Sequence, residues 1–177
     1  MRLFIAINFS SEVKNELAAV QDMLRKHARS GNFTRPENLH LTLIFLGEIA
    51  QSRLEPIKQA VDSVQDKAFE LSANGSGRFR RGGGDIWWVG IDENHVLTKI
   101  HHTLADSLTA SGFVIEEREF KPHLTLARKV LLKNDNNMPE IPVSFNIAVD
   151  KISLMKSEQL NGVLKYTAIY NKNLGNL

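Results

Sequence analysis

A four-residue string occurs twice in this chain, as His40-Leu41-Thr42-Leu43 and as His123-Leu124-Thr125-Leu126, 83 positions apart (123 minus 40). In an extended strand residues i and i+2 share a face, so each copy sets an imidazole and a hydroxyl on one side and two leucines on the other. A core strand has no use for His and Thr on one face unless that face is wet. The repeat therefore predicts two strands with leucines toward a core and His and Thr on the walls of a shared cleft. A third match, His101-His102-Thr103-Leu104, falls in a stretch of helical spacing. There, residues two apart diverge by about 200° around the axis, so this copy is assigned to a surface helix.

The rest of the chain supplies the frame for those two strands. Arg2 to Phe9 reads as a buried strand, and Ser10 or Ser11 caps a helix to about His27 or Ala28, with Val13, Leu17, Val20 and Leu24 on one face. Residues 29–37 read as a loop, 38–47 as the first histidine strand and 52–67 as a helix that tolerates Pro56 in its first turn. Strands are expected at 69–79 and 85–92, joined by Gly82-Gly83-Gly84. A helix capped near Asn94 and stopped by Gly112 follows, then a short strand at 113–117 and the second histidine strand from 123 to 130. Residues 133–137 read as a loop. Two apolar runs, 143–155 and 163–170, flank Asn161-Gly162, a strong hairpin signal. Two related lobes in a single 1–177 domain are expected, each giving one histidine strand to the cleft. The fold class is α+β, with two antiparallel or mixed sheets and helices on their outer faces.

Composition closes off several chemistries. The chain has no cysteine, which excludes a disulfide framework, cysteine-ligated zinc and thiol catalysis. Its net charge is only +2, so attraction to an anionic partner has to come from local clustering, for which Arg78 to Arg81, with Phe79, Trp87 and Trp88, is the candidate. A solvated turn beside core tryptophans is the plainer reading of that segment. No apolar run approaches the ~20 residues of a membrane span, and the opening Met1 to Asn8 is too short for a signal peptide core, so a cytoplasmic protein is expected.

Two imidazoles on opposing walls suit in-line displacement at phosphorus. With an unperturbed pKa near 6.5, one of a pair is able to accept a proton while the other donates one. Thr42 and Thr125 then stand as neutral donors to the non-bridging oxygens. Metal ligation is the rival use of two histidines, but neither copy carries an Asp or Glu to complete a ligand set, and His-x-Thr is not a ligand spacing. No metal or other cofactor is expected.

Taken together, Arg2-Leu3-Phe4-Ile5-Ala6-Ile7, Pro36-Glu37-Asn38-Leu39-His40-Leu41-Thr42-Leu43 with Phe45-Leu46-Gly47-Glu48, and Phe120-Lys121-Pro122-His123-Leu124-Thr125-Leu126-Ala127-Arg128 resemble the 2H phosphoesterases. The closer resemblance is to the RNA 2′,3′-cyclic phosphodiesterases, also called 2′-5′ RNA ligases. It implies a bilobal α+β fold and metal-independent opening of a terminal 2′,3′-cyclic phosphate to a 2′-phosphomonoester, with 2′-5′ joining of RNA ends as the reverse. The resemblance makes His40 and His123 the acid and base, Thr42 and Thr125 the phosphate holders, and Arg128 a source of charge to the phosphate. It suggests His40 as the acid and His123 as the base on water; the sequence itself leaves that order open.

Arg128, five after His123, has the wrong strand parity and reaches the cleft only through a bulge or the strand's end. Phe120 is a candidate to stack on the terminal base, or a core aromatic. The expected partners are RNAs with cyclic phosphate ends, tRNA fragments among the candidates, acted on by a monomer. The alternative is an RNA-end-binding module that uses the same cleft without turnover.

Overall fold

The computed structural model describes residues 1–116, 119–134 and 138–176. Its central strand is β1 (Arg2–Asn8), whose Leu3, Ile5 and Ile7 are fully buried on one face. Helix α1 (Ser11–His27) starts where the Ser10 hydroxyl accepts the Val13 N–H at 3.4 Å, and buries Val13, Leu17, Val20 and Leu24. Then come β2 (Ala28–Phe33), a 3-10 turn at Pro36–Asn38, β3 (His40–Glu48) and α2 (Leu54–Asp62). The hairpin β4 (Phe69–Phe79) and β5 (Asp85–Ile91) leads into α3 (His95–Ala110), capped by Asn94, whose side chain accepts the Leu97 N–H at 3.0 Å. The chain closes with β6 (His123–Leu132), β7 (Ser144–Val149), β8 (Lys151–Leu160) and β9 (Val163–Asn173). Asn161 and Gly162 turn the last hairpin with φ of 51° and 76°, the left-handed pair that a two-residue turn requires.

Among the described residues all nine strands belong to one antiparallel sheet in the order β7-β4-β5-β6-β3-β1-β8-β9, with β2 also on β6. Two separate sheets are expected from sequence; here they are the two halves of one sheet, joined at its middle by a single β3–β6 rung, Leu41 opposite Leu124. The helices pack on the leucine face, where Leu17, Leu24, Ile57, Ile100, Leu104 and Leu108 join Leu41, Leu43, Leu124 and Leu126 in one core. At about 25 cal/mol per Å² of apolar area, burying each of those side chains stabilises the fold by roughly 1.5–3 kcal/mol against the entropy of ordering it. Among the described residues no helix is long and apolar enough to cross a membrane.

Several expectations are corrected by pairing that sequence spacing does not reveal. Residues 29–33, expected as part of a loop, form β2 with Ala28 against β6, because Gly31 lets the backbone approach Val130; a Cβ there would lie 3.0 Å from the Val130 side chain. Helix α2 stops at Asp62, five residues early (67 minus 62), although Val64 remains buried. The chain is drawn away at that point, since the Ala68 N–H donates to the Gly175 carbonyl at 2.7 Å. The expected strand at 113–117 is absent over 113–116, with Glu117 outside the described residues. Instead Phe113 folds back, its N–H on the Leu108 carbonyl at 3.0 Å, after Gly112 at φ 75°. The run 143–155 breaks at Asp150 because its halves pair at distant places, β7 with β4 and β8 with β1. Of the loop expected at 133–137, residues 135–137 lie outside the described residues.

Candidate active site

The β3–β6 rung builds the site. The two strands run antiparallel and overlap only at their beginnings, each then continuing away from the other. Pairing Leu41 with Leu124 sets His40 across from Thr125 and Thr42 across from His123, all four on the face opposite the leucines. The burial pattern agrees: Leu41, Leu43, Leu124 and Leu126 are buried, while the two histidines and two threonines are half-exposed.

Both imidazoles are oriented in the same way. The Nδ1 of His40 lies 2.7 Å from the Asn38 carbonyl, and the Nδ1 of His123 lies 2.8 Å from the Lys121 carbonyl. A carbonyl only accepts, so each Nδ1 carries the proton and each neutral ring has its lone pair on Nε2. In His40 that Nε2 meets the Thr42 hydroxyl at 3.0 Å. His40 is walled by Phe4 and Tyr166, ring centroids 4.9 and 5.1 Å away, and His123 has Phe79 edge-on at 5.2 Å. Burial is the main reason His40 titrates below the ordinary 6.5. The Asn38 carbonyl opposes this, and the charges of Arg128 and His123 add to it, so both groups lie within electrostatic reach of His40.

Arg128 reaches the cleft by a bulge. β6 pairs Thr125 with Trp88 and Ala127 with Trp87, leaving Leu126 as the extra residue. Leu126 and Ala127 are consecutively buried, the parity flips, and Arg128 lines the same cleft as His123. The bulge is anchored from behind by buried Gln21 of α1, which donates to the Leu126 carbonyl at 2.8 Å. β3 carries the same device: Ile44 pairs with Ile5 and Thr42 with Ala6, which leaves Leu43 extra and turns Phe45 into the cleft. Phe45 is therefore the counterpart of Arg128, each five residues after its histidine. That shared offset was a signal available in the sequence.

The cleft has a volume of about 440 Å³, and its lining includes Thr42, Phe45, Phe79, His123, Arg128 and, farther along, His101 and Phe120. Phe120 stacks on His101, centroids 4.0 Å apart and planes 12° from parallel, so one face of its ring is already covered. His101, assigned from sequence to a surface helix, is on α3 but forms part of the cleft wall, and burial lowers its titration.

The basic-aromatic segment is divided between the fold and the cleft, whose lining includes Phe79 and Arg81. Arg78 is only 7% exposed and pairs with Asp85 at 2.9 Å, while Trp87 is wholly buried. Trp88 packs beside Phe79 and directly over Gly77, where any Cβ would lie 2.4 Å from the indole. Arg81 alone of the cluster's arginines lines the cleft. Among the described residues no group of three or more His, Asp or Glu gathers as a metal site requires.

Comparison with known proteins accords with this geometry. A family model described as LigT like Phosphoesterase matches residues 7–88 and again 89–164, one histidine string in each match. The chain is similar to the RNA 2′,3′-cyclic phosphodiesterase of Thermotoga maritima (strain MSB8), 31% identical over 167 residues, which is 89% of this chain and 87% of that one. Among solved structures it is similar to E. coli LigT in apo form, with a TM-score of 0.83 and 26% identity over 99% of this chain and 98% of the other. E. coli LigT complexed with 3′-AMP gives a TM-score of 0.80 at 26% identity, over 98% and 96% of the two chains.

Proposed function

The chain belongs to the LigT-like phosphoesterase family, and on that premise we propose that it hydrolyses 2′,3′-cyclic phosphate ends of RNA to 2′-phosphomonoesters by a His40/His123 acid-base pair. One observation carries this reading. A single antiparallel rung gathers two imidazoles and two hydroxyls on one wet face, each imidazole held with Nε2 as its reactive nitrogen.

In the proposed reaction the cyclic phosphate sits between the two Nε2 atoms. One histidine takes a proton from water as the water oxygen bonds to phosphorus. The P–O3′ bond breaks in line, and O3′ receives a proton from the other histidine. Thr42 and Thr125 donate to the non-bridging oxygens, and Arg128 supplies the positive charge. Following the family resemblance, His40 is the acid and His123 the base. Burial and the Arg128 charge lower the His40 titration in the open cleft, and an arriving anionic phosphate opposes the Arg128 charge and so favours the acid form of His40. Phe45, 48% exposed and opposite Arg128 in the pseudo-symmetric pair, is the proposed platform for the terminal base, with Phe120 at the far wall. The complex of the similar E. coli LigT with 3′-AMP supports a nucleotide as the ligand.

With the 5′-hydroxyl of a second RNA in place of water, the same steps join it to the cyclic phosphate end: the 5′ oxygen bonds to phosphorus and gives its proton to the base, the P–O3′ bond breaks, and O3′ takes a proton from the acid, leaving a 2′-5′ linkage. RNA ends with cyclic phosphates, tRNA fragments among them, are the proposed substrates of a cytoplasmic monomer, since one chain holds both histidines. The alternative reading, a module that binds RNA ends in the same cleft without turnover, draws on Phe79 and Arg81, which line that cleft. The test is incubation with a 2′,3′-cyclic oligonucleotide in EDTA, read by phosphorus NMR. A 2′-phosphate product is expected, and unchanged substrate or a 3′-phosphate refutes the proposal.

A further inference from the structure

The two halves of the site make the same Nδ1-to-carbonyl bond on different supports. His123 rests on the carbonyl of Lys121, whose exposed side chain pairs with exposed Glu119 at 3.0 Å. His40 rests on the carbonyl of Asn38, a residue only 5% exposed. The Asn38 amide is spent entirely on β9. Its Nδ2 donates to the Leu164 carbonyl at 2.8 Å, and its Oδ1 accepts the Tyr166 N–H at 3.0 Å. Tyr166 in turn stands edge-on to His40 at 5.1 Å and to Phe4 at 5.0 Å. One buried side chain thus pins two things to each other: the carbonyl that sets the His40 tautomer, and the strand whose tyrosine walls the ring.

We propose that Asn38 is a positioning residue for the acid-base pair, locking His40 as its Nδ1–H tautomer with Nε2 toward Thr42 by clamping the Pro36–Asn38 turn to β9. The inference rests on the proposed role of His40. The physical basis is that of a ligand's supporting shell: a neutral imidazole has two tautomers of similar energy, and the acceptor fixed at one nitrogen decides which nitrogen is left to react. The Asn38 backbone carbonyl survives any substitution. What a variant loses is the clamp that holds that carbonyl in line. At the partly buried edge of the sheet the Leu164 carbonyl and the Tyr166 N–H then lose their partner, and the turn is no longer tied to β9.

The test compares Asn38→Ala with Ser153→Ala in the full chain. Ser153 is also buried, and its hydroxyl donates to Asn171 at 2.7 Å between β8 and β9, so its loss weakens the same hairpin without touching the turn below His40. Asn38→Ala is expected to lower kcat on a 2′,3′-cyclic nucleotide by about ten- to a hundredfold with little change in KM, in the range of other supporting-shell losses. The ¹⁵N signals of His40 are expected to change from a single Nδ1–H form to a mixture. Ser153→Ala is expected to keep both kcat and tautomer at a similar drop in Tm. Should Asn38→Ala not fold, Asn38→Ser, too short to reach both β9 groups, is expected to shift the same two readouts by less. Equal losses in the Asn38 and Ser153 variants, or an Asn38 variant with wild-type kcat and tautomer, overturn the inference. Retained activity in His40→Ala instead overturns the reading of the site, so the two failures are told apart.

Discussion

Leu41 of β3 and Leu124 of β6 face each other on the one antiparallel rung through which these strands meet among the described residues, and that pairing gathers histidines 83 positions apart (123 minus 40). Because both strands begin at their histidines and run in opposite directions, the rung acts as a local two-fold. Each His stands across from the other strand's Thr. The leucines face the helices, and the polar residues share the opposite face, where Thr42 and His123 line the cleft.

If the two imidazoles act as acid and base, His40→Ala and His123→Ala each lower kcat by about 10²–10⁴-fold. The double variant loses little more than either single one, since a pair that acts as a unit is not additive. Steady-state rates on a 2′,3′-cyclic nucleotide, followed by phosphorus NMR, check this. Multiplying losses in the double variant would argue against a shared step.

The depressed titration of His40 fixes the sign of a pH effect. A histidine with a lowered pKa stays neutral to lower pH, so the doubly protonated, inactive form accumulates only below 6.5. The acid limb of a bell-shaped kcat/KM profile therefore falls below 6.5. Because the Arg128 charge contributes to the depression, Arg128→Gln raises the His40 midpoint toward 6.5, and inorganic phosphate in the cleft raises it as well. Proton NMR titration of the His40 ring gives the answer directly; a midpoint that moves down in Arg128→Gln contradicts the arrangement.

Arg128 and Phe45 occupy equivalent bulge positions but carry different chemistry, so their losses differ in kind. On its proposed role, Arg128→Ala is expected to lower kcat/KM by about ten- to a hundredfold by loss of a charge-assisted bond to phosphate, with partial recovery in Arg128→Lys. Phe45→Ala removes a stacking face worth about 1–3 kcal/mol per base, which raises KM for a nucleotide but leaves its kcat nearly unchanged. Measuring kcat and KM separately distinguishes them.

Acid-base chemistry by two histidines needs no metal. Activity is expected to survive extended dialysis against EDTA within experimental error, and added zinc is expected to inhibit by occupying the two Nε2 lone pairs. Loss of turnover on chelation with recovery on zinc would overturn the mechanism.

Much of this was legible from the residues because local rules governed it. The Ser10 and Asn94 caps, the left-handed turn at Asn161-Gly162 and the strand alternation of both histidine strings depend on contacts within a few residues. The same alternation argument raised the right objection to Arg128: its parity is wrong unless the strand bulges, and the strand does bulge, anchored by Gln21 from a helix more than a hundred residues earlier. β2 was not legible, because its strand character comes from the edge of β6 and not from Ala28-Arg29-Ser30-Gly31-Asn32-Phe33 itself. The segment 78–88 reads from sequence either as a nucleic-acid surface or as a turn beside core tryptophans, and the choice for Arg78 and Trp87 rests on Asp85 and the core, which are reached only by folding.

Most of the elements, and the faces of both histidine strands, follow from the residues alone, since side-chain period and backbone propensity are properties of a few neighbouring residues. Two His-x-Thr strings on strands fix that each string's His and Thr share a wet side, wherever the strands go. Only the tertiary structure decided that these strands meet at their first residues, that paired bulges bring Arg128 and Phe45 to the same cleft, and that a buried asparagine clamps β9 beneath His40. Those are long-range pairings, chosen by which edges and buried polar groups have no other way to be satisfied.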